Sequence, residues 1–203
     1  MRAPLAQGPP TSARSKARHA VAAAAICLLA LLPGCAKKDV GGSAPCACAS
    51  ATGVVDQALV AFLSKARAAH LRADVLEEKD PAGALSSLEG VVNGPVPKAA
   101  PEAREVLADT RARLAELRTR AGAFDDARRE VEQGLALVPE TSYFRGHLFE
   151  VLGFVEEKQA EARAKAGDPM GAEAARKRAV EASEKAVLIQ DEVIRHALEK
   201  TGP

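Results

Sequence analysis

The sequence has no tryptophan, one tyrosine and five phenylalanines among its 203 residues. Sheets draw on aromatic and β-branched side chains, so this scarcity, beside abundant Ala, Leu, Glu and Arg, argues against strands and predicts an all-α fold. Cysteine is confined to one end: Cys27, Cys35, Cys46 and Cys48 are followed by no other. No disulfide framework can therefore hold the remainder together. Long apolar runs are missing too. The longest, AVAAAAICLLALL at residues 20–32, is thirteen residues, short of the roughly 18 that a membrane-spanning helix needs. Nor does one charge dominate, with 28 Lys+Arg against 27 Asp+Glu. The only basic cluster is Arg176-Lys177-Arg178, which is too little for a nucleic-acid footprint, so no nucleic-acid partner is expected.

Reactive constellations are equally scarce. His70, His147 and His196 stand apart from one another and from every cysteine. No metal-protease pair, nucleophile elbow or phosphate-binding glycine loop occurs. Asp125-Asp126 and Glu156-Glu157 are adjacent carboxylates. Neighbouring helix positions point to different faces, so these read as a helix N-terminus and a solvated face. The expectation is a non-enzyme, with no catalytic residue, metal or cofactor.

What the chain does have begins with Arg14, Lys16 and Arg18 ahead of the apolar run, then Leu32-Pro33-Gly34-Cys35. This resembles the lipobox of bacterial lipoproteins. The resemblance implies that residues 1–34 are a cleaved signal peptide and that Cys35 carries a diacylglycerol thioether and an acylated amino group. Two or more acyl chains anchor stably where one is marginal. Ala36, in place of Asp, implies delivery to the outer membrane of the bacterial envelope, with the protein facing the periplasm. Losing Arg2, Arg14, Lys16 and Arg18 takes 28 basic residues to 24 against 27 acidic, a formal charge of −3. Residues 35–53 are rich in Gly, Ser and Pro without apolar periodicity, and read as a flexible tether. Within them, Cys46-Ala47-Cys48 lacks the further ligands of a metal site and the two-residue spacing of a redox pair. A disulfide across one residue would be strained. Incidental thiols or an intermolecular link remain.

From residue 54 onward the pattern is helical. A first helix over 54–78 places Val55, Leu59, Phe62, Ala66, Ala69, Ala73 and Leu76 on one side, with Lys65, Arg67 and Arg72 outward. Asp80-Pro81 starts a short second helix with Ala84, Leu85, Leu88, Val91 and Val92 inward; Asn93-Gly94-Pro95-Val96-Pro97 stops it. Residues 102–121 form a third, with Val106, Leu107, Thr110, Leu114 and Leu117 along one side. After Gly122, Asp125 is expected to cap a fourth helix carrying Ala127, Val131, Leu135 and Val138. Thr141 or Ser142 caps a fifth, which runs to Ala166 and bears Phe144, Leu148, Val151, Leu152 and Val155. Gly167-Asp168-Pro169 precedes a long last helix over 170–200, whose Ala172, Ala175, Ala179, Ala182, Ala186, Ile189 and Val193 form a narrow seam.

Three turn-then-helix units recur, with Ala84, Ala127 and Ala172 at corresponding places. They resemble the tetratricopeptide repeat, a helix–turn–helix unit of about 34 residues. In the central unit Leu114-Ala115 stands at the family's Leu-Gly, Gly122 at its turn, Ala127 and Val131 at its Ala and aromatic sites, Gly134 at its later small site, and Pro139 at its close. The next unit opens with Phe149 and Leu152-Gly153, but Glu156 stands where Tyr is usual. The alanines are 43 and 45 residues apart, so a longer, HEAT-like helical repeat is the alternative.

The resemblance implies antiparallel hairpins over 54–203 in a short right-handed solenoid, ending in a long C-terminal helix. It further implies a groove lined by the first helix of each unit. Asp109, Glu116 and Arg120 would face it from the third helix, and His147, Glu150, Phe154 and Lys158 from the fifth. Phe154 reads either as an exposed anchor or as a residue buried under the last helix. The expected role is a protein–protein interaction or assembly module that binds another envelope protein or peptide segment while the lipid anchor holds the membrane. The alternative is a structural spacer in which the long last helix pairs with itself in a homodimer.

Overall fold

The structure, a computed structural model, describes residues 56–200. Cys35, the tether with Cys46 and Cys48, and the first two residues of the expected 54–78 helix lie outside the described residues. Among the described residues there are six helices and no strand: α1 (Gln57–Leu76), α2 (Pro81–Val92), α3 (Pro101–Arg120), α4 (Phe124–Leu137), α5 (Tyr143–Lys165) and α6 (Pro169–Lys200). The all-α expectation is met. No described helix is long and apolar enough to cross a membrane.

Local chemistry sets the ends. The Asp56 carboxylate accepts hydrogen bonds from the amides of Ala58 and Leu59 at 2.9 and 3.2 Å, supplying two orphan donors of the first turn. Asp80 and Asp168 do the same for Gly83 and Gly171 at 2.9 and 2.8 Å. In both cases a proline follows, at the one helical position where a missing N–H costs nothing. Ser142 caps α5 by accepting from the Arg145 amide at 3.2 Å. α4 departs from expectation: its cap is Ala123, which has no side-chain bond, and Asp125 lies one residue inside the helix. There it pairs with Arg128 at 2.6 Å and, with Asp126, places negative charge in the first turn, where the helix dipole favours it.

Two hairpins turn in the same way. Gly122 and Gly167 both have φ of 78°. At each, the residue after the glycine donates to a carbonyl five residues back (Ala123 to Arg118 at 2.9 Å, Asp168 to Arg163 at 3.0 Å), and the glycine donates three residues back. This is the Schellman closure, which needs a left-handed residue that only glycine adopts without strain.

The helices pair as α1–α2, α3–α4 and α5–α6, and among the described helices each hairpin touches only its neighbours in the chain. α3 lies in the middle, against α1, α2, α4 and α5. The expected stripe holds: Leu107, Thr110, Leu114 and Leu117 are buried and Val106 is partly so. A second face, Ala108, Ala112, Ala115 and Thr119, is buried as well. Its three alanines join Ala127 and Val131 of α4 and Leu148, Val151 and Val155 of α5 in one cluster. Ala84, Ala127 and Ala172 are all fully buried, as expected of small residues where helices cross closely. Glycine brings α4 onto α5: a Cβ at Gly134 would meet Leu148 Cδ2 at 2.7 Å.

Charged residues tie the hairpins through their middle. Arg118 of α3 binds Glu89 of α2 and Glu130 of α4, both at 3.1 Å. Glu156 of α5 stands 38 residues later and repeats the arrangement with the charges exchanged. It accepts from Arg128 of α4 at 2.5 Å and Arg178 of α6 at 2.7 Å. The expectation of a solvated Glu156-Glu157 pair is thus corrected for Glu156, which is 2% exposed; Glu157 is exposed.

Candidate interaction surface

Two depressions flank α5. The first is bounded by the C-terminal turn of α3, the start of α4 and the second half of α5, and encloses ≈ 490 Å³. Its floor is aromatic, Phe124 and Phe154, and its rim carries Arg120, Lys158 and Lys165, with Glu161 as the acidic member. Lys158 sits over the Phe154 ring with its ammonium 5.9 Å from the centroid, a favourable arrangement for a cation on a ring quadrupole. Its ammonium also pairs with Glu161 at 2.8 Å. That hydrogen bond holds the Lys158 pKa above, and the Glu161 pKa below, its ordinary value. Arg120 pairs with Glu77, the residue that follows α1.

The second depression is a longer groove between α5 and α6, ≈ 990 Å³, on whose wall Phe154 also stands. Glu150, Gly153 and Glu157 contribute from α5, and Val180, Ser183, Val187 and Leu188 from α6. α5 and α6 approach closely at Gly153, where a Cβ would lie 2.8 Å from Ser183 Oγ.

Of the seven residues assigned to a groove from the sequence, Arg120, Phe154 and Lys158 converge on the first depression. Glu150 joins Phe154 in the second. Phe154 is partly exposed, neither free of the molecule nor covered by α6. His147 lies over Tyr143, with ring centroids 6.0 Å apart and planes at 6°. It contacts Glu150 at 3.4 Å and lines neither depression. Asp109 and Glu116 line neither as well. Glu116 is drawn into a cluster on Arg113, which also binds Asp74 of α1 and Glu77 just past its end at 2.9 and 2.6 Å.

Sequence reasoning missed Phe124 and Lys165 in the first depression, and Val180, Ser183, Val187 and Leu188 on the α6 wall of the second. For that wall a signal exists: Val180 and Val187 are seven residues apart, with Leu188 beside them. The alanine seam runs beside it and meets the groove at Ala179. Arg176, Lys177 and Arg178 form no free basic patch, since they pair with Glu173, Glu181 and Glu156. Among the described residues no three His, Cys, Asp or Glu side chains are grouped to hold a metal ion. The first depression can seat an apolar side chain on its phenylalanines and a carboxylate at its cationic rim. Compared with protein-family models, with curated proteins and with solved structures, the chain finds no match in any of the three.

Proposed function

We propose that the protein is a lipid-anchored envelope component, tethered through Cys35, whose tetratricopeptide-like hairpins bind a segment of another envelope protein. The convergence of Arg120 from α3 with Phe154 and Lys158 from α5 carries this reading, because residues 34 or more apart in sequence meet at one aromatic, cation-rimmed depression. Support for the repeat comes from the α1, α3 and α5 row, the buried alanines at the hairpin starts and the matched glycine turns. The proposed ligand is an extended or helical segment with an apolar side chain and nearby carboxylates. The protein acts by holding it, not by transforming it.

The test is site-specific photo-crosslinking from position 154 in the intact envelope. One dominant partner is expected, lost on Lys158→Glu and unchanged by Lys98→Ala in the exposed connector before α3. Crosslinks scattered over many proteins, or insensitive to Lys158→Glu, would sink the groove. The anchor has a separate readout. Cys35→Ala is expected to abolish incorporation of a fatty-acid analogue and release the protein from membranes, and continued membrane retention without label would refute it.

A further inference from the structure

Repeated hairpins leave two unlike ends, and here the ends differ in chemistry. At one end, the α5 residues Glu150, Gly153 and Glu157 stand 38 residues after Ala112, Ala115 and Thr119 of α3. Those three are buried, the alanines in the cluster that α4 and α5 complete. On the last hairpin the corresponding face is the open wall of the α5–α6 groove, and no described helix lies over it. It is apolar along α6, where Val180, Val187 and Leu188 are 57%, 59% and 68% exposed. Its charges are mainly negative: Glu150, Glu157 and Glu184, against Arg176. Glu157 and Glu184 make no salt bridge among the described residues, whereas Arg176 already pairs with Glu173.

The other end is the outward side of α1. Val60, Leu71 and Val75, spaced 11 and 4 residues apart, are 49%, 65% and 64% exposed. Eleven and fifteen residues are close to three and four full turns, so the three share one stripe. Arg67 and Arg72 lie on the exposed side of the helix and pair with nothing among the described residues. Asp74 is taken up by Arg113, which leaves Glu78 as the free acid at the far end of this face.

We propose that α1 of a second copy docks in the α5–α6 groove, joining copies head to tail as successive hairpins are joined within one chain. The occupant follows from charge as well as shape. Pairing the groove with the same groove of another copy would oppose Glu150, Glu157 and Glu184 to themselves. α1 instead brings two free arginines and an apolar stripe. The 20 residues of α1 span roughly 30 Å at 1.5 Å per residue, enough to cover a groove whose α6 wall, from Arg176 to Leu188, is roughly 18 Å long. Because donor and acceptor surfaces differ, the contact is heterologous, and the rotation between copies decides whether it closes into a ring or continues as a filament.

The test places a photo-crosslinking residue at position 71 or 187 of the full-length chain in its own envelope. Each is expected to yield a product of twice the chain's mass. Peptide mapping should join position 71 to the α6 stretch 176–188, and position 187 to α1. Arg67→Glu with Arg72→Glu should cut the yield several-fold, and Glu157→Lys with Glu184→Lys in the same chain should restore it. Crosslinks from 187 only to α6 of another copy would overturn the proposal in favour of symmetric pairing. A product with a different protein, or no product of doubled mass from either site, would overturn it as well.

Discussion

Glu156 shows how far a single residue can depart from its local pattern. In sequence it is one of two adjacent glutamates on a polar stretch, and nothing within a helical turn marks it as buried. Its partners lie 28 residues before and 22 after it, beyond the reach of any periodicity argument. Burial pushes its carboxyl up, but hydrogen bonds and charge from Arg128 and Arg178 outweigh this and hold it below its ordinary value. A carboxyl with a depressed native pKa stabilises the fold above its unfolded pKa, and that stabilisation is lost as pH falls through the native value. Glu156→Gln removes the charge that Arg128 and Arg178 share; Arg128 keeps Asp125 and both guanidiniums are partly in reach of water, so the cost is about 1–3 kcal/mol. The variant should melt roughly 2–12 °C below the parent at pH 7, and the gap should narrow in acid. Thermal melts followed by circular dichroism at several pH values decide it, and a gap that widens in acid refutes the assignment. Glycine substitutions offer a second residue-scale check. Gly122 and Gly90 both have open space around an added Cβ, but only Gly122 has positive φ. Gly122→Ala should therefore cost about 1 kcal/mol, while Gly90→Ala, inside α2, should gain about 0.5–1 kcal/mol. Denaturant titration of the two variants should give shifts of opposite sign.

At the scale of elements the sequence was legible where local chemistry decides. Asp80-Pro81, Gly122, Ser142 and Gly167 mark helix ends that the structure places within a residue or two. The α4 start was misread because an aspartate in the first turn serves the helix dipole as well as an aspartate cap does. The second buried face of α3 was missed for a different reason. Ala108, Ala112 and Ala115 carry little apolar weight, and a helix buried on two sides loses the contrast that periodicity detects. Of the candidate site, Arg120, Phe154 and Lys158 were named from the sequence and line one depression. Glu116 does not line it, because Arg113 gathers it with Asp74 and Glu77 at the contact of α1 with α3; Asp109 lines neither depression. The α4–α5 crossing supplies a test of close packing. A methyl at Gly134 would press on Leu148 Cδ2, and Leu148 is fully buried and cannot swing aside. Overpacking of this kind costs about 1–3 kcal/mol, which exceeds the gain of about 1 kcal/mol from replacing glycine inside a helix. Gly134→Ala should destabilise the parent, yet be neutral or stabilising in a Leu148→Val background. A double-mutant cycle measured by denaturant unfolding checks this, and additive effects would show that the crossing has slack.

At the scale of the whole fold, what matters is that, among the described helices, contacts run only between neighbouring hairpins. α1 and α2 reach α3 but not α4, α5 or α6, while α3 touches α1, α2, α4 and α5. Stability in such a chain is a sum of hairpin terms and nearest-neighbour interface terms, so one end can open while the other stays folded. Leu88 of α2 is fully buried in a cluster with Ala73, Ala84, Leu114 and Leu117, and that cluster is the seam between the first hairpin and α3. Truncating a buried leucine to alanine costs about 2–5 kcal/mol. The loss should fall on the α1–α2 unit, because the core that holds α5 lies on the other face of α3 and contains no residue of α1 or α2. Hydrogen exchange of Leu88→Ala should accordingly accelerate over Gln57–Leu76 and Pro81–Val92. α5 and the first half of α6, anchored by Glu156, Gly153 and the buried alanines Ala172 and Ala175, should keep the protection of the parent. α3 is the discriminating element, since its two faces belong to different neighbours: its amides should lose protection only partly. Uniform acceleration across all six helices would show a single cooperative unit instead, and would require long-range coupling through α3 strong enough to bind both ends into one folding event.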